Sequence, residues 1–372
     1  MFDLRSLIEP SIEQACDNIA WGELVGTLPL SRPDGVVQPF GVKAGGAGLD
    51  ARQILDLSTL QPDRLITPNA LACIRTEAPP PARRSGDWNI AISGEAGNSR
   101  TVTLESLVQR ARPMGAHLLE CSGNSNPANF GLMSVSEYHG VPLADSVPPV
   151  QAASGAWGLL VSGLDPTMPS SSSVAGASWV FPIASLPQLG AFLAARMNGE
   201  PLPPDHGAPV RLVVPGWYAC SWIKWVNEVR VVPMTEPATS QMQEFAGRTH
   251  QSGVPQLARD YAAPEIQAAA MPIRIEKRRG TNGLDYRVVG IVWGGKKPID
   301  RLAIRFGVEG TWNSFAVCPA PRTHRVWSLW EYRWRPPATS TYDIALKVPD
   351  ASVAQRRLDS GFYVRQVRVD EI

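Results

Sequence analysis

One cysteine and three basic residues carry the chemistry this sequence offers. Cys121 sits in HLLECSGNSNPANFG, at the end of an apolar run and beside the small residues Ser122 and Gly123. A thiol on such a strand-end loop is open to act as a nucleophile or a metal ligand. The plainer alternative is that a single cysteine serves as a small buried hydrophobe. Further on, MNGEPLPPDHGAPVRLVVPGWYACSWIKW places His206, Arg211 and Lys224 on a turn, a strand and the next loop. Gathered at one end of a sheet, these three would make an anion site suited to a phosphate. Pro203-Pro204-Asp205 and Pro215-Gly216 are turn formers that would fix the groups on stiff loops.

The elements that must hold these groups are short. Thr103 can cap a helix with Leu104, Leu107, Val108 and Ala111 on one face. Pro113 and Gly115 stop it, and HLLE leads as a strand into Cys121. A second helix is expected from Ser185, with Leu186, Leu189, Leu193 and Met197 in one stripe and Asn198-Gly199 as its end. VRLVV and KWVNEVRVV read as strands. The spacing predicts an α+β chain in four parts. Residues 1–48 form an N-terminal arm packed over the main domain, and 49–235 form the domain of mixed helices and strands. Residues 236–268, rich in Gln, Ala and Pro, form a connector. Residues 269–372 form a sandwich of short strands with a turn at Asn282-Gly283. Five of the twelve tryptophans fall between Trp293 and Trp334, where a sandwich core and a dimer contact would take them.

At 372 residues the chain suits two domains. A net charge of +1 gives no reason to expect nucleic acid as partner. The five cysteines include no short-spaced pair, which argues against a disulfide framework and a structural zinc site. No apolar run approaches the ~20 residues of a membrane helix, and no export signal is visible. The expectation is a cytoplasmic chain without membrane contact; the alternative is the periplasm, with an export signal missing from this start. Neither GxSxG nor GxGxxG occurs.

Four segments, in order, resemble the sulfite oxidase family of molybdopterin-dependent oxidoreductases. LITPNALACIRTEAPP is similar to the family's opening signature, with Asn69 and Arg75 at its asparagine and arginine. ECSGN places Cys121 at the molybdenum ligand, and EYHGVPLADSV follows it. VSGLDP offers Asp165 at a pterin-contacting acidic position. MNGEPLPPDHGAPVRLVVPG gives His206 and Arg211, and CSWIKW gives Ser221, Trp222 and Lys224 in the cofactor-facing stretch. The resemblance implies a sulfite-oxidase-like molybdopterin domain followed by an immunoglobulin-like dimerisation domain, and a homodimer. It implies a molybdenum–molybdopterin cofactor with Cys121 as metal ligand, and oxygen-atom transfer on sulfite or a related small sulfur oxyanion. Arg75 would attract that anionic substrate, while His206 and Arg211 would serve the cofactor's polar edge and phosphate.

Electrons would pass to an external electron carrier such as a cytochrome, since no CxxCH occurs for covalent haem. The same cofactor would also serve an S-oxide reductase, and a non-catalytic descendant would keep the fold alone. The chain departs from the family pattern at Ser125 and Asn126, where haem-linked members carry two arginines. It departs again at Ala72, where an aromatic residue is usual, and in having Phe245 but no tyrosine in TSQMQEFAGRTHQ.

Overall fold

Strands outnumber helices throughout the computed structural model, which describes residues 21–31, 51–76, 85–94, 99–124, 131–146, 157–165, 177–281, 283–361 and 363–372. The chain divides into two units. The larger comprises residues 40–56 and 66–266; the smaller comprises 1–39, 57–65 and 267–372.

Two five-stranded sheets build the larger unit. One runs Glu200–Pro201, Phe192–Met197, Met133–Pro142, Arg112–Glu120, with Arg211–Val213 also paired to Phe192–Met197. The other runs Ser99–Thr103, Asn89–Ser93, Val226–Pro233, Trp157–Gly163, Ser178–Pro182, and is antiparallel except where Val226–Pro233 lies parallel to Asn89–Ser93. Helix Leu104–Arg110 forms where its pattern predicts. The Thr103 hydroxyl accepts from the Ser106 N–H at 3.2 Å, and Leu107 alone of the helix is buried. The strand after it begins at Arg112, before HLLE, and runs to Glu120.

The second expected helix is mostly strand. Only Leu186–Leu189 is helical, and Gly190 ends it at φ 65°. Phe192–Met197 is flanked by strands on both sides, and five of its six residues are buried. A strand covered on both faces reads as a continuous apolar run, which periodicity cannot separate from a buried helix. Asn198 and Gly199, expected as a helix end, take φ 52° and 80° and form a two-residue hairpin turn joining Met197 to Glu200.

Two further boundaries differ from the expected division. Residues 236–266, read as part of a connector, pack within the larger unit. Thr239 caps helix Ser240–Glu244 by accepting from the Met242 N–H, and its hydroxyl donates to Ser178 O at 2.6 Å. Ala238, Met242, Ala246 and Thr249 are buried. From the stretch read as an arm, Glu23–Leu28 adds an antiparallel strand to Ala269–Gly280 in the smaller unit. A six-residue strand with mostly exposed side chains leaves little apolar signal, because backbone hydrogen bonds hold it in place.

The smaller unit consists of two four-stranded antiparallel sheets. One is ordered Glu23–Leu28, Ala269–Gly280, Gly283–Trp293, Ser328–Trp334; the other Asn313–Ala316, Arg301–Phe306, Ser340–Lys347, Arg365–Val369. The expected hairpin closes with Gly280 opposite Gly283; Asn282 lies outside the described residues. Trp293, Trp327, Trp330 and Trp334 are buried. Cys318 is disulfide-bonded, so the spacing argument against a disulfide framework missed one bond; spacing does not report pairing between distant segments. No described helix is long and apolar enough to cross a membrane.

Candidate functional site

A cleft in the larger unit collects the residues singled out by the sequence. It holds about 940 Å³ of atom-free space, part of it open to solvent, and its walls include Arg75, Cys121, Asp165, His206, Arg211, Trp222 and Lys224. Two candidates lie elsewhere. Asn69 donates to Met197 O at 3.2 Å and to Glu200 Oε2 at 3.0 Å, and its Oδ1 accepts from Asn198 Nδ2 at 2.9 Å. It therefore braces the hairpin turn and is not part of the cleft wall. Ser221 is fully buried, and its hydroxyl donates to Tyr218 O at 2.9 Å. Ser125 and Asn126 lie outside the described residues.

Cys121 is held by its own loop. Its N–H donates to Leu132 O at 2.9 Å, and its Sγ accepts the Gly123 N–H at 3.4 Å. Asn124 ties the loop down: its Oδ1 accepts from the N–H groups of Gly131 and Leu132 at 3.1 and 3.0 Å, and its Nδ2 donates to Glu120 Oε1 at 3.2 Å. Burial pushes the Cys121 thiol up, against the Gly123 N–H and the charges of Arg75 and Arg248, which pull it down. A metal binding there must displace the proton.

The basic cluster is assembled from three backbone segments. Pro204–His206 forms a single 3-10 turn, Arg211 opens strand Arg211–Val213 opposite Ala194, and Lys224 precedes strand Val226–Pro233. Gly207, at φ 101°, makes their approach possible: a Cβ there would stand 3.0 Å from the Cβ atoms of both Arg211 and Lys224. Trp225 beside Lys224 takes φ 53°, unusual for a bulky residue. Its Nε1 donates to Pro204 O at 3.1 Å, locking the loop to the His206 turn.

Three basic groups in a buried corner repel one another. Burial, then Arg211 and Lys224, push the His206 imidazole down to about 3, so it is neutral at pH 7. Burial and Arg211 bring Lys224 down to about 8, against Asp165 and Asp205. Arg211 is 3% exposed; its Nη2 donates to Trp222 O at 3.5 Å, and its Nε has no hydrogen-bond partner. A buried guanidinium N–H without a partner costs free energy until an acceptor arrives. The corner is thus preformed for an anion that fills it.

The sign of the pH dependence follows. Lys224 carries its proton below about pH 8 and loses it above, so anion binding by the cofactor-free protein should weaken as pH rises through that value. Sulfate, which keeps its charge over this range, should bind roughly tenfold more weakly at pH 9.5 than at pH 6.5, the loss of one charge-assisted hydrogen bond. Calorimetric titration checks it, and Lys224→Met should flatten the profile.

Several cleft residues escaped the sequence reading. Cys73, Thr76, Cys220, Gln241 and Glu244 also form its walls. Gln241 Nε2 donates to Cys220 O, joining the helix to the 3-10 turn Ala219–Ser221. Thr239 followed by a short polar helix was the available signal, obscured by the Gln- and Ala-rich composition. Neither Tyr218 nor Tyr261 lines the cleft, and Phe245 does.

The donor set suits a metal that brings ligands of its own. Among the described residues no three His, Cys, Asp or Glu side chains form a metal cage. Cys121 would give a metal one protein donor, and the Arg211 Nε, without a hydrogen-bond partner, would suit an anionic group held in the same cleft.

The chain is similar to several known proteins. Residues 77–240 match the family described as oxidoreductase molybdopterin binding domain. Chicken sulfite oxidase is 26% identical over 314 residues, covering 78% of this chain and 68% of that one. Human mitochondrial sulfite oxidase is 26% identical over 325 residues, covering 82% of this chain and 58% of its own. The NAD(P)H nitrate reductase of Betula pendula is 29% identical over 243 residues, 61% of this chain and 25% of that one. The crystal structure of the sulfane dehydrogenase SoxCD from Paracoccus pantotrophus superposes with a TM-score of 0.64 over 88% of each chain at 18% identity. That likeness shows the fold.

Proposed function

Because this chain belongs to the sulfite oxidase family of molybdopterin-dependent oxidoreductases, we propose that it transfers an oxygen atom on sulfite or a related small sulfur oxyanion. The observation that carries the reading is the presence of a loop thiol, Cys121, and a buried guanidinium with an unpartnered Nε, Arg211, on the walls of one cleft.

A bound molybdenum–pterin supplies a two-electron exchange of one oxygen atom, with water as the other oxygen source or sink. The chain supplies the rest. Cys121 Sγ is the soft donor for the metal, presented on a loop fixed by Asn124. Arg211, His206 and Lys224 receive the cofactor's anionic end, with Trp222 packed 5.5 Å from the Arg211 guanidinium. Asp165 and Asp205 offset part of the positive charge felt by Lys224. Arg75 lines the same cleft as Cys121, where its charge draws an anion toward the reacting centre.

Electrons leave, in this reading, to a separate carrier such as a cytochrome. The two antiparallel sheets of the smaller unit suit an immunoglobulin-like domain that pairs copies into a homodimer. The disulfide at Cys318 favours an oxidising compartment such as the periplasm over the cytoplasm. Sedimentation and cell fractionation decide these two points.

The chain should be purified from a host that makes the cofactor, assayed for metal, and offered sulfite with an artificial electron acceptor. About one molybdenum per chain with sulfite-dependent acceptor reduction is expected. Metal without sulfite turnover, beside reduction of methionine sulfoxide, overturns the substrate. A protein that takes up no molybdenum overturns catalysis.

A further inference from the structure

We propose that Arg248 is the specificity-determining residue that engages the anionic oxygens of the substrate, an inference that rests on the reading of the cleft given above. Arg248 ends the 3-10 turn Ala246–Arg248, and its side chain is exposed. A Cβ built on Gly123 would stand 3.5 Å from Arg248 Nη1 and 3.5 Å from Cys121 Sγ. The guanidinium and the thiol therefore flank one point and lie within twice that distance of each other.

Its partners differ from those of two other arginines of the larger unit. Arg230 faces Glu228 and Glu236, and Arg259 faces Asp260. Among the described residues Arg248 has no carboxylate partner; its guanidinium lies 5.9 Å from the Phe245 ring centroid. The turn that presents it is fixed. Its N–H donates to Phe245 O at 3.0 Å, and the fully buried Thr249 returns its hydroxyl to Phe245 O at 2.8 Å and to Ala246 O at 3.3 Å. A planar, permanently charged fork held on a rigid turn is suited to bidentate contact with an oxyanion.

Accessibility divides the labour between the two sets of cations. His206 and Arg211 are buried and suit an anion that stays through many turnovers. Arg248 meets solvent beside the thiol and suits an anion that arrives and leaves with each one. Its charge already acts on the Cys121 thiol.

The test uses the molybdenum-loaded enzyme with Arg248→Gln and Arg248→Lys. Arg248→Gln should raise KM for sulfite roughly 10- to 100-fold, the loss of a charge-assisted contact, with kcat changed only a few-fold and molybdenum content intact. Arg248→Lys should recover part of the loss. The Kd for sulfate, a non-reacting oxyanion, should weaken in parallel by calorimetry. Unchanged KM and sulfate affinity in Arg248→Gln, or loss of molybdenum from it, overturns the proposal, as does a wild-type enzyme that binds no sulfate. If loaded wild-type enzyme fails to oxidise sulfite, the substrate reading falls separately, and the sulfate titration still decides the role of Arg248.

Discussion

Cys121→Ser should lower sulfite turnover by about 10³-fold or more while the protein folds as before. Serine offers an un-ionised, hard oxygen where the metal needs a soft thiolate through a change of oxidation state, and a thousandfold loss corresponds to roughly 4 kcal/mol of transition-state stabilisation. The fold should tolerate the change because the loop is held by other groups. Asn124 Oδ1 accepts two backbone N–H bonds, and the Cys121 N–H is tied to Leu132 O. Only the 3.4 Å contact from the Gly123 N–H to sulfur is altered, and an oxygen can accept that proton. The thermal midpoint should stay within a few degrees of wild type, and the visible absorption of the loaded protein should change with the loss of sulfur ligation. Turnover within tenfold of wild type would mean that the sulfur at 121 is not the metal's protein ligand.

Arg211→Met should act in opposite directions on the two forms of the protein. In the cofactor-free chain Arg211 is a buried cation whose Nε is unsatisfied, and it pushes down the pKa values of both His206 and Lys224. Replacing it with an apolar side chain of similar length removes an uncompensated charge, which should stabilise the cofactor-free protein by about 1–3 kcal/mol in urea unfolding. The loaded protein should suffer. Loss of a charge-assisted partner for an anionic group weakens cofactor retention roughly 10- to 100-fold, read as molybdenum content after dialysis. A cofactor-free variant less stable than wild type would show that Arg211 serves the fold first, and unchanged retention would remove it from the cofactor's binding groups.

The distinction between serving the fold and serving the site also explains what the sequence made visible. Helix Leu104–Arg110 is local: a capping threonine and helix formers suffice, and it appears as expected. Phe192–Met197 misleads because its burial comes from strands that are distant in sequence, so its apolar run carries no period. Asn69 matches a family signature and yet braces a hairpin, because a matched position identifies a residue without saying where its hydrogen bonds go. Gln241 and Glu244 were hidden in a stretch whose composition resembles a linker, and a single buried face on a five-residue helix is too short to reveal otherwise.

The candidate groups could be read from the chain alone: a thiol followed by small residues, a histidine and an arginine around proline and glycine turns, a lysine before a strand. Side-chain chemistry and turn geometry are covalent and local, so they can be read along one line of residues. Which donors share a cavity was decided only by the tertiary structure. Arg211 reaches the cleft through its pairing opposite Ala194, and Cys121 through the register that sets Glu120 against Met133. Those contacts join residues far apart in the chain, and their register depends on the packing of the whole unit.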